Sequence, residues 1–448
     1  MNMHGVEMVL SNIANLVWGI PLLVLLFGTH VFLTFRLRFI QRYIGQAIKL
    51  SFKRTTEGTG DISHFGALTT ALAATIGTGN IVGVSTAIAA GGPGAVLWIW
   101  LTGVFGISTK YAEAVLSVKY RITTKSGQIA GGPMYVLERG MNQKWLGIVF
   151  AALTAVTAFG IGNMVQANSI SSMMYEAFKV PTWITGAILT LATAFVILGG
   201  IKSIARVCET LIPFMAIFYV LGCIVLLIMG AHTIPGTIQL IFKSAFTGHA
   251  AIGGFIGAGV REAMRYGIAR GLFSNESGLG SAPIVAAAAQ TKNPVRQALV
   301  SCTGTFWDTV VVCAMTGIVI VNSGEWINGL NGVSLTKAAF ADIPYVGTIV
   351  LTLGLLTFVF STILGWSYYG EKAAEYLFGY RIIKPYRLIW VAIVMVGSVS
   401  TMPAVWSFSD IANGCMAIPN LISLLALSGV IVSETRKFLW NNRLDDEG

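Results

Sequence analysis

The sequence has little charge. Only 11% of its 448 residues are Asp, Glu, Lys or Arg, whereas 55% are hydrophobic. Soluble domains carry about 25% charged residues, so this chain cannot cover a globular surface with ionised groups. The composition excludes a soluble domain and predicts an integral membrane protein whose main surroundings are the lipid bilayer. The apolar segments are longer than the roughly 9–11 residues of a barrel strand, which predicts an all-α protein.

Cysteine and histidine are also scarce, with five of each. The cysteines lie in or beside apolar segments without paired spacing, as is typical of buried thiols rather than of a disulfide framework or a metal site. The histidines are scattered over segment ends and loops, so the side-chain cluster that a membrane enzyme needs is missing. Because the chain has no basic soluble module, we expect no nucleic-acid partner. We infer no obligate protein partner.

Hydropathy predicts about eleven transmembrane helices. The first is read as a spanning helix and not as a signal peptide, because no basic stretch precedes it and no small-residue cleavage site follows it. The stretch 39–54 mixes apolar and basic residues at helical spacing, which favours an interfacial helix over a solvated loop. The eleven segments are Ile13–Phe35, 65–90, 94–118, 147–176, 181–200, 207–230, 252–290, 296–321, 347–370, 386–402 and 409–432.

The basic residues indicate an orientation. If the N-terminus is outside, most of the 29 Lys and Arg residues fall in the inside loops, and the outside loops hold Lys179, Lys243 and Lys337. This asymmetry is the positive-inside pattern, and it predicts a cytoplasmic C-terminus in the cell membrane. The acidic end "RLDDEG" is expected to be a frayed tail.

Two apolar segments are interrupted by poor helix formers. The stretch "ATIGTGNIVG" (74–83) lies in the second segment, and "RGLFSNESGLGSAP" (270–283) lies in the seventh. Unwound backbone in lipid costs several kcal/mol for each unpaired group, so an interruption must lie inside the bundle and bind something. Small residues such as Gly79 and Gly83 could instead serve close helix packing. The second interruption makes packing alone the weaker explanation.

The two interruptions are separated by five crossings, which is the sequence pattern of inverted repeats around a central site. They fall in core helices 1 and 6 of a predicted five-plus-five core, with one extra N-terminal helix. The predicted units are 1–64 (N-terminal and interfacial helices), 65–230 (first repeat), 231–432 (second repeat) and 433–448 (tail). Two broken helices in one chain favour a transporter over a channel, whose pore usually needs rings of polar residues.

The stretches "GTGNIVGVSTAIAAGGPGAVLWIW" and "RGLFSNESGLGSAP" resemble signature segments of the alanine or glycine:cation symporter family. That family is similar in architecture to the leucine-transporter-type fold. The resemblance implies a sodium-coupled symporter that imports small neutral amino acids, here alanine and glycine, by alternating access. A proton-coupled carrier of the same fold is the alternative.

The interruptions suggest where an amino acid would bind. The backbone at Thr78 and Gly79 begins a half-helix, whose N–H groups and dipole favour a carboxylate. Carbonyls near Thr75 and Phe273 lie at the opposite half-helix ends and are expected to accept from the ammonium.

Several polar side chains nearby are candidates for the same site. Ser274 and Asn275 are candidates for hydrogen bonds to substrate, while Asn80 either does the same or braces the interruption. Gln166 should face inward, as a substrate contact or as an interhelical hydrogen bond. Each amide could equally be structural.

Core helix 8 contains "TFVFSTILGW", with polar and aromatic residues at helical spacing. Trp366 is expected to wall the pocket and limit it to small substrates, although a purely structural indole is the alternative. By resemblance, two hydroxyls of this helix complete a sodium site with carbonyls of core helix 1. The implied sodium set is Ala73, Ile76, Phe358, Ser361 and Thr362.

Acidic residues inside spans are functional candidates by default. Glu276 would cost about 2.5–3.5 kcal/mol at mid-membrane depth. Asp308 could serve a second cation, a proton, or Arg270 as an ion-pair partner, and the sequence leaves these open. Lys110 and Glu113 are expected to be structural residues near a helix end.

Overall fold

The structure is a computed structural model that describes residues 3–53, 58–125, 127–247, 259–341, 346–400 and 402–447. Over these ranges it is built from α-helices with short 3₁₀ and π-helical turns, and the predicted all-α class is confirmed. One small antiparallel sheet pairs β1 (Ile122–Thr123) with β2 (Ile129–Ala130). The α-helices are α1 (Met3–Val17), α2 (Ile20–Arg36), α3 (Ile44–Ser51), α4 (His64–Thr75), α5 (Val84–Gly91), α6 (Ala95–Lys119), α7 (Pro133–Tyr135), α8 (Lys144–Phe159), α9 (Val165–Phe178), α10 (Thr182–Ile197), α11 (Gly200–Met229), α12 (Ile234–Phe246), α13 (Val260–Asn275), α14 (Pro283–Ala286), α15 (Pro294–Thr305), α16 (Ala314–Ser323), α17 (Gly332–Phe340), α18 (Val346–Phe378), α19 (Ile383–Val399), α20 (Met402–Ala426) and α21 (Ser428–Thr435).

Within the described residues, six continuous helices are long and apolar enough to cross a membrane, and two bent pairs raise the number to eight. α10 is apolar but only 16 residues long. Residues 252–258 of the predicted seventh segment lie outside the described residues. The count of eleven therefore stays a prediction. The six helices are Lys144–Phe178, Gly200–Met229, Pro294–Ser323, Gly347–Phe378, Tyr380–Val399 and Trp406–Ala426.

The first predicted span is a bent pair and not one straight helix. α1 and α2 meet at an angle of 43°. Pro21 lies in the first turn of α2, where its missing N–H is tolerated but where it cannot continue the ladder of α1. The Trp18 indole fixes the bend by donating a 2.9 Å hydrogen bond to the carbonyl of Asp410.

Both predicted interruptions lie where the sequence places them. α4 ends at Thr75, and the chain resumes in a π-helical turn, Gly79–Gly83, with a bend of 47° between the two halves. α13 ends at Asn275, and Glu276 then adopts the left-handed conformation. Further π-helical turns occur at Gly160–Met164, between α8 and α9, and at Phe306–Cys313, between α15 and α16. Such turns release backbone groups from the helix ladder, and they often mark functional sites.

The bundle packs around these irregular segments. α6 lies between α13 and α15, and α18 packs against α4, α8 and α11. Large aromatic side chains such as Trp366, Trp390 and Tyr219 are fully buried in the interior. On α10, by contrast, Phe195 is 87% exposed. A large apolar side chain with that exposure is suited to lipid and not to water.

Regions that the charge pattern places inside meet at one end of the bundle. Arg121 donates to the carbonyls of Ala287 and Ala289 at 2.9 Å, and to that of Thr59 at 2.8 Å. The Arg38 guanidinium lies 4.5 Å from the ring centre of Trp440. The first set of contacts joins Thr59, Arg121 and residues 287–289, and the second joins Arg38 to Trp440.

The C-terminal segment is not the frayed tail that its composition predicts. The Asn293 amide donates to the carbonyls of Leu444 at 2.9 Å and Asp446 at 3.0 Å. Arg296 pairs with Asp445 at 2.5 Å, and Leu444 is buried. Long-range partners hold the segment, and its own residues do not reveal them.

Candidate functional site

The first interruption is braced by its own asparagine. Asn80 Oδ1 accepts a 2.8 Å hydrogen bond from the Gly77 N–H, which caps the turn that starts the second half-helix. The Asn80 amide also donates to Asp308 Oδ1 at 2.7 Å. Of the two roles considered for Asn80, the geometry matches bracing.

Gln166 reaches the interruption from the first turn of α9, directly after the π-helical turn Gly160–Met164. Its Oε1 accepts a 3.1 Å hydrogen bond from the Thr78 N–H, and its Nε2 donates to the Ile161 carbonyl at 2.8 Å. The π-helical turn releases that carbonyl five residues back. The Thr78 N–H is thus already paired with an oxygen acceptor, as it would be with a carboxylate.

Glu113 holds the second interruption together. Its Oε1 accepts from the backbone N–H groups of Gly278 and Gly280, each at 3.0 Å, and from the Asn420 amide at 2.7 Å. Both glycines have positive φ, 90° and 83°, which side chains disfavour. The sequence expectation that Glu113 is merely structural near a helix end misses this long-range contact. Its signal was an acid within an apolar segment.

Asp308 connects the two interrupted helices. Besides Asn80, it accepts from Ser274 Oγ at 2.9 Å and Thr309 Oγ1 at 2.7 Å, both on Oδ2. Arg270, one of its three candidate partners, instead forms a two-pronged ion pair with Asp410 at 2.8 and 2.9 Å. Of the three possibilities that the sequence leaves open for Asp308, the ion pair with Arg270 is therefore not formed.

The hydroxyl of Thr362 lies beside the end of α4. Its Oγ1 is 3.0 Å from the Ala73 carbonyl oxygen and 3.2 Å from that of Ile76. Three uncharged oxygens converge at the negative end of a half-helix, which suits a monovalent cation. The Thr362 hydroxyl donates to these carbonyls of α4, whereas the Ser361 hydroxyl donates to the Phe358 carbonyl of its own helix at 2.9 Å and lies 3.6 Å from Met215 Sδ. The structure therefore brings together three members of the predicted sodium set, and it turns Ser361 away from them.

The predicted substrate side chains are buried, and those of Asn275 and Thr75 make internal hydrogen bonds. Asn275 uses both ends of its amide, donating to Thr309 Oγ1 at 3.1 Å and accepting from the Ser277 N–H at 2.9 Å. The Thr75 hydroxyl donates to the Ala71 carbonyl of the same helix at 3.1 Å. The polar group that Thr75 presents at the interruption is therefore its backbone carbonyl. A side chain on Gly79 would lie 3.2 Å from the ring of Phe273, so these two residues are in contact range.

An aromatic layer covers one side of the site. Phe273 stacks on Trp406 with ring centres 5.0 Å apart, and the Arg270 guanidinium lies 4.8 Å from the Trp406 ring centre. The Arg270–Asp410 ion pair completes this layer. Lys110 lines a small cavity with Thr75 and Ala282, and its buried ammonium has no hydrogen-bond partner among the described residues.

Two interrupted helices that meet inside a helical bundle, with polar backbone freed at each interruption, are typical of a membrane transporter. A manganese transporter of Eremococcus coleocola has the same overall fold, with a TM-score of 0.53 at 12% identity over 85% of this chain and 81% of that one. The chain belongs to the sodium:alanine symporter family, whose sequence profile matches residues 3–447.

Two relatives illustrate the family. The chain is 52% identical over 439 residues to the sodium/alanine symporter of Methanococcus maripaludis, covering 96% of both proteins. It is 35% identical over 438 residues to a putative sodium/proton-dependent alanine carrier of Bacillus subtilis, covering 93% of this chain and 89% of that protein.

Proposed function

We propose that this protein is a sodium-coupled symporter that imports alanine and glycine across the cell membrane by alternating access. The observation that carries the proposal is the Thr362 hydroxyl beside the Ala73 and Ile76 carbonyls. These oxygens are neutral, so the site leaves no unpaired carboxylate behind when the cation departs. A co-transported sodium ion would bind them, with Phe358 and Ser361 completing its surroundings after a rotation of Ser361.

The amino acid would bind beside this cation, at the two interruptions. The substrate carboxylate would replace the Gln166 oxygen at the Thr78 N–H and extend to Gly79. The ammonium would face the carbonyls of Thr75 and Phe273. Ser274, Asn275 and Trp366 would line the remainder, and Trp366 would limit the side chain to a methyl group.

The cation and the substrate would share one flexible segment. Residues 73–76 supply the cation ligands, and residues 78–79 supply the carboxylate ligands. An ion bound to the first group would therefore order the second. Inward movement of a sodium ion gains about 2.3 kcal/mol per 100 mV, which can drive accumulation when both ligands must be bound together.

The proposed architecture has five plus five core helices in inverted repeats, 65–230 and 231–432, preceded by 1–64 and followed by the cytoplasmic segment 433–448. The equivalent positions of the two interruptions support the repeats. The clustering of the basic regions at one end, together with the C-terminal segment, supports an external N-terminus. We also propose that the protein is not an enzyme and has no obligate protein partner.

The test is uptake of labelled alanine into proteoliposomes under imposed ion gradients. An inward sodium gradient at equal pH should drive accumulation, whereas an inward proton gradient without sodium should not. Accumulation with the proton gradient alone would instead establish proton coupling. Empty liposomes and an excess of unlabelled alanine give the background.

Proton coupling is the second candidate, and one observation favours it. Glu276 is buried, with Oε2 accepting from Ser281 at 2.6 Å and with no partner for Oε1 among the described residues. Glu113 Oε2 and Lys110 Nζ are likewise buried without a hydrogen-bond partner among the described residues. An acid without full pairing in a dry interior can exchange a proton. In the sodium-gradient experiment, the external pH is lowered while sodium is held constant. A change in alanine accumulation would favour proton coupling, and unchanged accumulation would favour sodium coupling alone.

A further inference from the structure

A cavity of about 640 Å³ lies beside the start of α4, at the end of that helix that is far from the interruption. The chain after α3, the first residues of α4 and the first turns of α11 form its wall. Its lining includes the cations Lys53, Lys202 and Arg206 but a single carboxylate, that of Glu209. This excess of positive charge suits an anionic ligand.

The three cations are available to such a ligand. Lys53, Lys202 and Arg206 are exposed, and none of them is in an ion pair among the residues that the structure describes. The Glu209 carboxylate is already engaged, because its Oε1 accepts a 3.1 Å hydrogen bond from the hydroxyl of Ser63, the N-cap residue of α4. The positive charge of the cavity is therefore not neutralised from within.

The helix that carries two of these cations continues as an exposed apolar face. Residues three or four apart lie on the same side of a helix, so Lys202 and Arg206 share a face of α11 with Phe214, Ile217 and Leu221. These three side chains are 62%, 60% and 55% exposed, as is typical of contact with lipid and not with water. Along α11 the face thus changes from cationic to apolar, in the order in which a phospholipid presents its headgroup and its acyl chains.

We propose that this cavity binds the phosphate group of an anionic phospholipid, with Lys53, Lys202 and Arg206 around the headgroup and the exposed face of α11 along an acyl chain. A headgroup with net negative charge is favoured over a zwitterionic one, because the cavity offers three cations and one engaged acid. Each Lys or Arg near a bilayer surface strengthens the attraction to anionic lipid by about fivefold. The inference goes beyond the proposed function and holds for either coupling ion.

A bound headgroup would also join two elements. Lys53 precedes α4, whereas Lys202 and Arg206 lie on α11, so one phosphate group held by all three bridges these elements. The bridge would lie beside the hydrogen bond between Ser63 and Glu209, which already ties the start of α4 to α11. Because a ligand that binds only the folded state stabilises it, anionic lipid should raise the unfolding temperature of the protein.

The experiment measures lipid binding to the purified full-length protein in detergent by native mass spectrometry. Phosphatidylglycerol and phosphatidylcholine with identical acyl chains are titrated against wild type and against the triple variant Lys53→Gln, Lys202→Gln, Arg206→Gln. We expect the triple variant to bind phosphatidylglycerol at least about tenfold more weakly than wild type and to bind phosphatidylcholine unchanged. Equal affinity of wild type for the two lipids, or wild-type affinity in the triple variant, would overturn the inference.

The triple variant Lys125→Gln, Arg381→Gln, Lys384→Gln is the matched control. It removes three exposed cations from regions that the charge pattern also places inside, but none of the three lines this cavity. Because exposed charges beyond about 10 Å are largely screened, its affinity for phosphatidylglycerol should stay within about threefold of wild type. A loss as large as that in the cavity variant would mean diffuse attraction to the protein surface and no site.

Inorganic phosphate distinguishes a lipid from a soluble anion. In thermal unfolding, phosphatidylglycerol should stabilise wild type, whereas inorganic phosphate at the same ionic strength should not. Equal stabilisation by inorganic phosphate would refute a lipid as the ligand.

The single variant Lys202→Gln keeps the test valid if the cavity triple variant folds poorly. It changes one exposed side chain, and it should weaken phosphatidylglycerol binding by about fivefold. Unchanged binding in this variant would also count against the site.

Discussion

Two hydroxyl side chains are adjacent in sequence at positions 361 and 362, yet they contact different neighbours. Thr362 lies against the carbonyls of Ala73 and Ile76, whereas Ser361 is turned to Phe358 and Met215. Of these two proposed cation ligands, only Thr362 therefore lies beside the carbonyls of α4. The difference makes the two positions separable by single substitutions.

Thr362→Ala should raise the sodium concentration for half-maximal alanine uptake by about tenfold, or ~1.4 kcal/mol, because the cation loses its side-chain oxygen. Ser361→Ala should raise it by less, since its hydroxyl must first leave the Phe358 carbonyl. The measurement is alanine uptake into proteoliposomes as a function of external sodium. Alanine affinity at saturating sodium should change little.

Thr357→Ala serves as the control for this series. Thr357 lies on the same helix, and its hydroxyl bonds back to the Leu353 carbonyl at 2.9 Å. It should behave as wild type. If Thr362→Ala keeps the wild-type sodium dependence, the coupling ion binds elsewhere, and Asp308 is the next position to test.

At the scale of elements, the segment around Asp308 holds the two interrupted helices together. Asp308→Ala should lower stability, because the donors on Asn80, Ser274 and Thr309 lose their acceptor, and each buried donor left unpaired costs about 1–3 kcal/mol. The Asp308→Asn protein keeps one acceptor oxygen, so its stability should lie between that of Asp308→Ala and that of wild type. Thermal unfolding of the purified protein in detergent measures the order.

The exposed Asp446→Ala is the matched substitution at a surface acid, whose partner Arg443 is also exposed. It should unfold within about 0.5 kcal/mol of wild type. An Asp308→Ala protein as stable as this control would mean that the hydrogen bonds of Asp308 do not hold the interruptions together.

The interruptions were predictable because lipid makes unwound backbone expensive, so glycine and polar residues inside an apolar run carry a strong local signal. The residues that contact the interruptions were not predictable. Glu113 and Gly278 are 165 positions apart, and no local pattern around Glu113 indicates that it binds an interruption. The bend at Gly19 and Pro21 carried a local signal, since proline starts a helix better than it continues one. The docking of Leu444 depends on the Asn293 amide and lay beyond any local pattern.

For the whole molecule, the orientation in the membrane is testable by labelling. In a variant whose five cysteines are replaced, single cysteines near Lys337 and near Lys384 should react from opposite sides of intact cells. An impermeant thiol reagent should label the first without permeabilisation and the second only after it. Labelling of both from the same side would contradict the eleven-helix topology. A cysteine at exposed Lys144, another predicted inside position, should match Lys384.

The Gln166 side chain occupies the Thr78 N–H that the proposed substrate carboxylate would need. While the Gln166 amide oxygen is paired with the Thr78 N–H, an amino acid bound as proposed would gain no hydrogen bond there, because it would exchange one acceptor for another. The substrate carboxylate differs from the Gln166 amide in carrying a full negative charge, and charge-assisted hydrogen bonds are roughly twice as strong as neutral ones. At the proposed site, this position would therefore discriminate substrates by the ionisation of the carboxyl group and not by its shape. An amino acid whose carboxylate is masked as an amide offers the backbone nothing that the resident side chain does not already supply.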